Sequence, residues 1–166
     1  MAKIDDYTKD AREWRKYGEY AHDAAILLFN NYANPFVWFS AAMLGHHALE
    51  MLLKSALIRE GCPIVEKGKP EDGSVWGHDL EKLAALLASK RPDFSLRIRP
   101  RSDIPLFSCK TYLARYDAFF NELRYPRAAP NVDSLGPGRA EAELLTELMD
   151  GIRPFAFPSP DEVDAV

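Results

Sequence analysis

The chain contains 166 residues, 47% of them hydrophobic and 28% charged, with a net charge of −4 at pH 7. This length and composition fit one globular domain with its own core and exclude a wholly disordered chain. The net negative charge excludes a protein that coats nucleic acid through bulk charge, although it permits a local basic patch. We expect one domain over residues 1–154 and a flexible acidic tail over residues 155–166.

The first ten residues, MAKIDDYTKD, contain no apolar core and no cleavage signal, so we expect no secretory peptide. The two cysteines, Cys62 and Cys109, lack the spacing of a metal site, and we interpret them as reduced thiols. These features are typical of a cytoplasmic protein. We predict neither a cofactor nor a bound metal.

Apolar residues at helical spacing predict a first helix from about Ala11 to Asn31. Asp10 followed by Glu13 resembles a capping box at its start. Asn34-Pro35 then forms a short turn, and Pro35 suits the first position of the next helix. A connection this short predicts that the two helices run antiparallel.

The stretch from Phe36 to Arg59 is apolar on nearly every face, which is typical of a helix buried in the middle of a bundle. Its length approaches that of a membrane span. A charged group at the centre of a bilayer costs about 3 kcal/mol, so the polar residues inside the stretch indicate a soluble central helix. Those residues are His46, His47, Glu50 and Lys54.

The polar residues of this central helix share one stripe. Glu50 and Lys54 follow His46 at i+4 and i+8, and they follow His47 at i+3 and i+7. Such a stripe marks a place where the bundle opens to solvent, to a partner subunit or to a ligand. The simpler interpretation, which we prefer from the sequence, is a helix edge at the protein surface with an ordinary Glu50–Lys54 pair.

Glycine and proline residues after the central helix indicate where helices end and loops begin. The helix is predicted to stop at Gly61, and residues 61–77 are predicted to form an exposed loop. A third helix opens at Leu80 and ends at Pro92. We expect His78 or Asp79 to cap its first amide groups.

Two more helices are predicted in the C-terminal half. The fourth begins at Pro105, capped by Ser102 or Asp103, and ends at Arg124-Tyr125 before Pro126. The fifth begins near Ala140 and is stopped by Pro154. Five amphipathic helices without a convincing strand predict an all-α fold, an up-and-down bundle of about five helices.

One segment, residues 90–101, is strongly basic and bounded by prolines. The segment contains five cations and a single carboxylate, which makes it the one place where a phosphate backbone could dock. The alternative is a solvated loop that offsets acidic neighbours, and only Phe94 offers an aromatic surface for stacking. The cations are Lys90, Arg91, Arg97, Arg99 and Arg101.

Three separated motifs together resemble the HEPN family, over roughly residues 11–152. The first is Ser40–Ile58, which includes His47-Ala48-Leu49-Glu50 and Leu53-Lys54. The second is Gly77-His78-Asp79-Leu80-x-x-Leu83, and the third is Arg124-Tyr125-Pro126. The resemblance implies a four- or five-helix bundle that often pairs as a homodimer. It also implies either metal-independent ribonuclease activity in toxin–antitoxin and phage-defence systems, or association with a minimal nucleotidyltransferase.

The ribonuclease members of this family carry an arginine, four to six intervening residues and then a histidine at the dimer cleft. Arg124 matches the arginine, whereas the window for the histidine holds Ala129, Pro130 and Asn131. Asn131 can hydrogen-bond but cannot exchange a proton near neutral pH. A base for the 2′-hydroxyl needs a pKa near the working pH, which is the range of histidine.

The sequence therefore favours a HEPN-like, non-catalytic module that binds nucleotide, RNA or a partner protein. One alternative is a helper subunit of a minimal nucleotidyltransferase. The other is a ribonuclease with a non-standard site, in which Arg124 stabilises the charged phosphorane and His47 or His78 is the base. We expect a homodimer, with an antitoxin as a further candidate partner. The predicted binding residues are Glu50, Lys54, Arg97, Arg99, Arg101, Arg124 and Tyr125.

Overall fold

The computed structural model describes residues 10–32, 34–62, 77–106, 108–123 and 136–156. These residues form five α-helices and no strand, and one isolated bridge joins Arg101 to Ile104. The predicted all-α bundle is therefore confirmed. The helices are α1 (Ala11–Asn30), α2 (Pro35–Arg59), α3 (Leu80–Lys90), α4 (Tyr112–Leu123) and α5 (Gly138–Ala156).

Helices α1 and α2 form an antiparallel pair, as predicted from their short connection. Near the connection the rings of Phe29 and Trp38 pack edge to face, with centroids 5.6 Å apart. At the far ends the Ser55 hydroxyl donates a hydrogen bond of 2.6 Å to the Ala11 carbonyl. Asp10 caps α1, since its carboxylate accepts from the backbone N–H of Arg12 at 2.9 Å.

Helix α2 is the centre of the bundle and packs against each of the other four helices. It is long and apolar enough to cross a membrane by length and composition alone. Most of its residues are nevertheless buried by the surrounding helices, as in the core helix of a soluble protein. Gly61, in the left-handed conformation with φ of 75°, follows the end of the helix as predicted.

The start of α3 is fixed by Asp79, whose carboxylate accepts from the backbone N–H of Lys82 at 2.9 Å. Asp79 therefore has the predicted capping role. The same prediction for His78 is wrong, because its ring bonds to Glu50 of α2 instead. The preceding Gly77 has φ of 79°, a left-handed conformation that glycine adopts without strain.

Helix α4 begins at Tyr112, so the predicted start at Pro105 is wrong. The Thr111 hydroxyl accepts from the backbone N–H of Ala114 at 3.0 Å and takes the capping role. The Tyr112 phenol accepts from the backbone N–H of Arg101 at 2.8 Å, which ties the preceding segment to the helix start. The predicted basic segment, apart from Lys90 at the end of α3, thus belongs to an irregular stretch between α3 and α4.

Helix α5 continues through Pro154 to Ala156, so the predicted stop at Pro154 is wrong. A proline in the last turn removes only one helical hydrogen bond, and tertiary contacts hold the turn in place. The Phe155 carbonyl accepts from Arg59 at 3.2 Å, and the Phe155 ring packs edge to face on Phe94. The boundary predicted after residue 154 falls inside this helix, and residues 157–166 lie outside the described residues.

A buried ion pair joins α4 to α5. The Arg115 guanidinium donates to both carboxylate oxygens of Glu141, and each side chain is 1% exposed. The Arg115 guanidinium also lies over the Phe119 ring, 4.6 Å from its centroid. Because breaking a buried pair leaves an uncompensated charge, this contact fixes how α4 sits on α5.

Candidate functional site: a buried polar cluster

Five polar side chains converge where the middle of α2 faces the start of α3 and the middle of α4. We call them the polar cluster. Glu50 is only 2% exposed and Lys54 only 7% exposed. The interpretation of this pair as an ordinary surface edge is therefore wrong. The members of the polar cluster are His46, Glu50, Lys54, His78 and Asp117.

The carboxylate of Glu50 is the acceptor at the centre of the polar cluster. Its Oε1 atom accepts from Lys54 Nζ at 2.5 Å and from His78 Nδ1 at 2.9 Å. Burial raises the pKa of Glu50, but the charge of Lys54 and the hydrogen bonds from Lys54 and His78 outweigh it, so the pKa lies below its usual value. Glu50 is therefore ionised at neutral pH. The Lys54 ammonium also lies 5.4 Å from the centroid of the Trp14 ring.

His78 forms the outer side of the polar cluster, with a side chain that is 55% exposed. An ionised carboxylate can only accept, so the contact with Glu50 places a proton on His78 Nδ1. In the neutral ring, Nε2 is then the nitrogen that remains able to take up a proton. A half-exposed imidazole oriented by a carboxylate has the arrangement of a general base.

His46 lies fully buried beneath His78. Its Nε2 atom is 3.0 Å from the His78 carbonyl oxygen and 3.1 Å from Asp117 Oδ1. Both partners are acceptors, so Nε2 carries a proton. His46 Nδ1 has no hydrogen-bond partner among the described residues, and Glu50 Oε2 is 4.0 Å away. The His46 ring stacks on Phe120 with centroids 4.2 Å apart.

Asp117 connects α4 to the start of α3. Besides contacting His46, its carboxylate accepts from the backbone N–H groups of Leu80 and Glu81 at 3.0 and 3.3 Å. An anion at this helix terminus satisfies free donors and suits the helix dipole. Asp117 therefore helps to hold the backbone that carries His78. Sequence analysis missed Asp117, although a carboxylate four residues after Leu113 in an apolar seam was a usable signal.

His47, the other predicted base, is not joined to the polar cluster by a hydrogen bond within the described part of the chain. It lies on the exposed side of α2, next to the buried His46. Desolvation lowers the pKa of the His47 ring below its usual value, although the charge of Glu50 opposes this. Of the two histidines, the structure gives only His78 an orienting carboxylate.

No hydrogen bond or ion pair of the described residues joins the cations of residues 90–101 to the polar cluster. Arg97 and Arg99 are exposed. Arg101 instead pairs with Asp103 at 3.1 Å and with Glu143 at 3.0 Å. Asp103, like Ser102, was predicted to cap α4, and its carboxylate holds Arg101 instead.

The third family motif follows α4 directly in the sequence. Arg124 and Tyr125 lie outside the described residues, as do Ala129, Pro130 and Asn131. Helix α4 ends at Leu123, immediately before them, and it contributes Asp117 to the polar cluster and Phe120 to its wall.

The polar cluster combines one buried ion pair, two oriented imidazoles and a second carboxylate. The half-exposed His78 ring is the part of this set that a ligand can reach most directly, because Glu50 and Lys54 are buried and paired with each other. Among the described residues, no three or more His, Cys, Asp or Glu side chains are grouped so as to hold a metal ion. Comparison of the chain with known protein families, with curated proteins and with solved structures gave no match.

Proposed function

We propose that this chain is a cytoplasmic, HEPN-like module that binds a nucleotide or RNA at the polar cluster. The observation that carries the proposal is the burial of the Glu50–Lys54 pair beside the half-exposed His78. The resemblance to HEPN domains names the ligand class. The polar cluster brings together Glu50 and Lys54 of the first family motif and His78 of the second, and this geometry supports a site there.

A bundle of this size does not need such a cluster for stability. Taking two charges out of water costs several kcal/mol per ion by rough estimate, and a hydrophobic pair of equal volume is often as stable. The pKa of Glu50 is lowered by specific partners, and groups with a perturbed pKa concentrate at functional sites. The protonated His78 ring can donate from Nε2 to a phosphate, and the buried Glu50–Lys54 pair behind it orients the ring through Nδ1.

The proposal is tested by titrating the chain with nucleoside mono- and triphosphates and with short single-stranded RNA, by calorimetry and fluorescence anisotropy. His78→Ala is the first variant, because an exposed side chain can be removed with little effect on the fold. Lys82→Ala, on an exposed position of α3, is its matched control. We expect His78→Ala to weaken binding at least tenfold and Lys82→Ala to leave it unchanged. Failure of every nucleotide and RNA to bind would leave only the partner-binding role.

A second candidate, metal-independent ribonuclease activity, is favoured by the Glu50–His78 contact. His78 Nε2 would take the proton of a 2′-hydroxyl, the 2′-oxygen would attack the phosphorus, and the 5′-oxygen would leave with a proton from solvent. Arg124 would stabilise the charged phosphorane. The products are a 2′,3′-cyclic phosphate and a 5′-hydroxyl.

The ribonuclease candidate predicts cleavage without metal that is lost in His78→Ala and in Arg124→Ala and retained in His47→Ala. Growth inhibition on expression should follow the same pattern. Intact RNA after prolonged incubation with the wild-type chain, together with normal growth, would remove this candidate while leaving the binding role open.

A homodimer remains our proposal for the assembly, with a different surface from the one expected. The apolar excess of α2 is used inside the bundle, so it is no evidence for a dimer. The exposed apolar side chains lie on α1 and at the start of α2, and include Tyr17, Tyr20, Leu27 and Phe36. Tyr20→Glu should convert a dimer into a monomer in light-scattering measurements. A nucleotidyltransferase or antitoxin partner would also be sought at this surface.

A further inference from the structure

A second candidate site lies between α3, the segment before α4, and α4 itself. It adjoins the polar cluster at Glu81, whose backbone N–H donates to Asp117 at 3.3 Å, but it is a separate groove. It is a half-open groove of about 390 Å³, within the range of small-ligand sites. Its walls are mostly apolar, and nothing in the polar cluster lines it. The wall residues include Ala84, Ala88, Leu96, Ile98, Leu106 and Leu113.

Two charged side chains of opposite sign, Glu81 and Lys110, line the same groove. The Thr111 hydroxyl accepts from the backbone N–H of Ala114 at 3.0 Å and donates to Glu81 Oε1 at 2.6 Å. The cap of α4 therefore orients the Glu81 carboxylate. A carboxylate has about four acceptor sites, so Glu81 can still accept two further hydrogen bonds.

This pair has the polarity of one nucleobase edge. Guanine presents two adjacent N–H donors, at N1 and N2, which match the carboxylate of Glu81, and it presents the O6 acceptor, which matches the ammonium of Lys110. Adenine would place its N1 acceptor against the carboxylate, and uracil offers only one donor. The apolar walls suit the faces of a planar base, as they do in sites that hold an unstacked nucleotide.

The segment that forms one wall also supplies cations for a nucleic-acid backbone. Leu96 and Ile98 line the groove, and Arg97 and Arg99 alternate with them along the chain and are exposed. A strand whose base enters the groove would carry its flanking phosphates past these arginines. Neutralising phosphates supplies sequence-independent affinity, and the base contact adds the preference.

We propose that this groove binds a guanine base of single-stranded RNA, with Glu81 and Lys110 reading its edge and Arg97 and Arg99 contacting the adjacent phosphates. The inference rests on the proposed function, which it extends to a base preference and to a second surface. It gives the basic segment a role that needs no contact with the polar cluster.

The test uses fluorescein-labelled U10 RNA in which one central position is guanosine, inosine or adenosine, followed by anisotropy with the full chain. Guanosine should bind about tenfold more tightly than adenosine, the usual scale for one bidentate base contact. Inosine, which lacks the N2 amine, should fall between them. Glu81→Gln should reduce the preference for guanosine, while Arg97→Ala should weaken all three RNAs to the same extent and lower the salt dependence.

Filling the groove provides the structural control. Ala88→Trp places a large side chain in the groove, whereas Ala85→Trp, at an exposed position of α3 outside the lining, does not. We expect the guanosine preference to disappear in Ala88→Trp and to persist in Ala85→Trp. If all three RNAs bind equally well, or if the preference survives both Glu81→Gln and Ala88→Trp, the groove is not a base site, although the proposed function stands. If none of the RNAs binds, the inference fails together with the RNA-binding role.

Discussion

The Oε1 atom of Glu50 lies 2.9 Å from the Nδ1 atom of His78, although 28 residues separate them in the chain. This contact joins the buried middle of α2 to the first turn of α3. It orients the one candidate base that is both exposed and paired with a carboxylate.

Lys54→Met should strongly destabilise the chain. The substitution keeps an apolar stem of similar size but leaves the Glu50 carboxylate without its cation, and the Glu50 side chain is buried. Removing one partner of a buried pair costs about 3–5 kcal/mol. Urea unfolding followed by circular dichroism measures the change, and the double variant Glu50→Gln, Lys54→Met should recover most of it.

The matched control for that prediction is Lys82→Met, which removes a cation from the exposed Lys82–Asp79 pair. Exposed pairs contribute little because water and salt screen them. An equal loss of stability in the two methionine variants would contradict the role assigned to burial.

Glu50 should also make the free energy of unfolding depend on pH in the acidic range. Its folded pKa is lowered, because the pairing with Lys54 and His78 exceeds the effect of burial. Stabilisation from a depressed carboxylate is fully present above its ordinary pKa of 4.5 and is lost as the pH falls through the folded pKa. The stability difference between wild type and Glu50→Gln should therefore be constant from pH 7 to 5 and shrink below about 4.5. A difference that is independent of pH down to 3 would be inconsistent with this assignment.

His22 should produce a separate pH dependence at higher pH. Its buried ring contacts Thr146 at 3.2 Å, and burial followed by the charge of Arg153 lowers its pKa, although Asp23 and Glu19 oppose this. A histidine with a lowered folded pKa has its full stability above about 6.5 and loses it as the pH falls through the folded value. Between pH 7.5 and 5, the wild type should lose more stability than His22→Gln. Parallel curves for the two proteins would rule out this role.

Two glycines should respond to alanine in opposite directions. A Cβ atom at Gly45 would lie 2.8 Å from the ring of the buried Tyr116, which cannot move aside, so Gly45→Ala should cost about 1–2 kcal/mol after the gain in helix propensity. A Cβ atom at Gly151 would meet only the end of the half-buried Leu96 side chain, which can rotate. Gly151→Ala should therefore be neutral or stabilising by up to about 1 kcal/mol. Thermal unfolding distinguishes these outcomes, and a stabilised Gly45→Ala would show that the core is looser than the structure describes.

The helices themselves were largely predictable because their signals are local. Asp10, Pro35 and Asp79 start helices α1, α2 and α3 through bonds or backbone preferences that involve only a few neighbouring residues. The errors occurred where a tertiary contact overrode a local signal. Tyr112 ties the stretch before α4 into an irregular path, and Phe155 is packed well enough for α5 to pass Pro154.

The candidate site was predicted only in part, for a different reason. The spacing of His46, Glu50 and Lys54 correctly placed them on one stripe of one helix, since helical periodicity is a property of the sequence. Whether that stripe faced water or protein depended on which helices covered it, and the periodicity carries no information on this. Asp117 entered the cluster solely because α4 packs beside the start of α3.

The amino-acid order by itself determined five helices, the apolar character of α2 and the polar stripe along it, because capping and periodicity act over a few residues. The tertiary structure decided that the stripe is buried, that His78 rather than His47 is oriented by Glu50, and that a groove forms beside α3. Burial and long-range pairing depend on how separate helices are packed together, and no single segment of the chain specifies that arrangement.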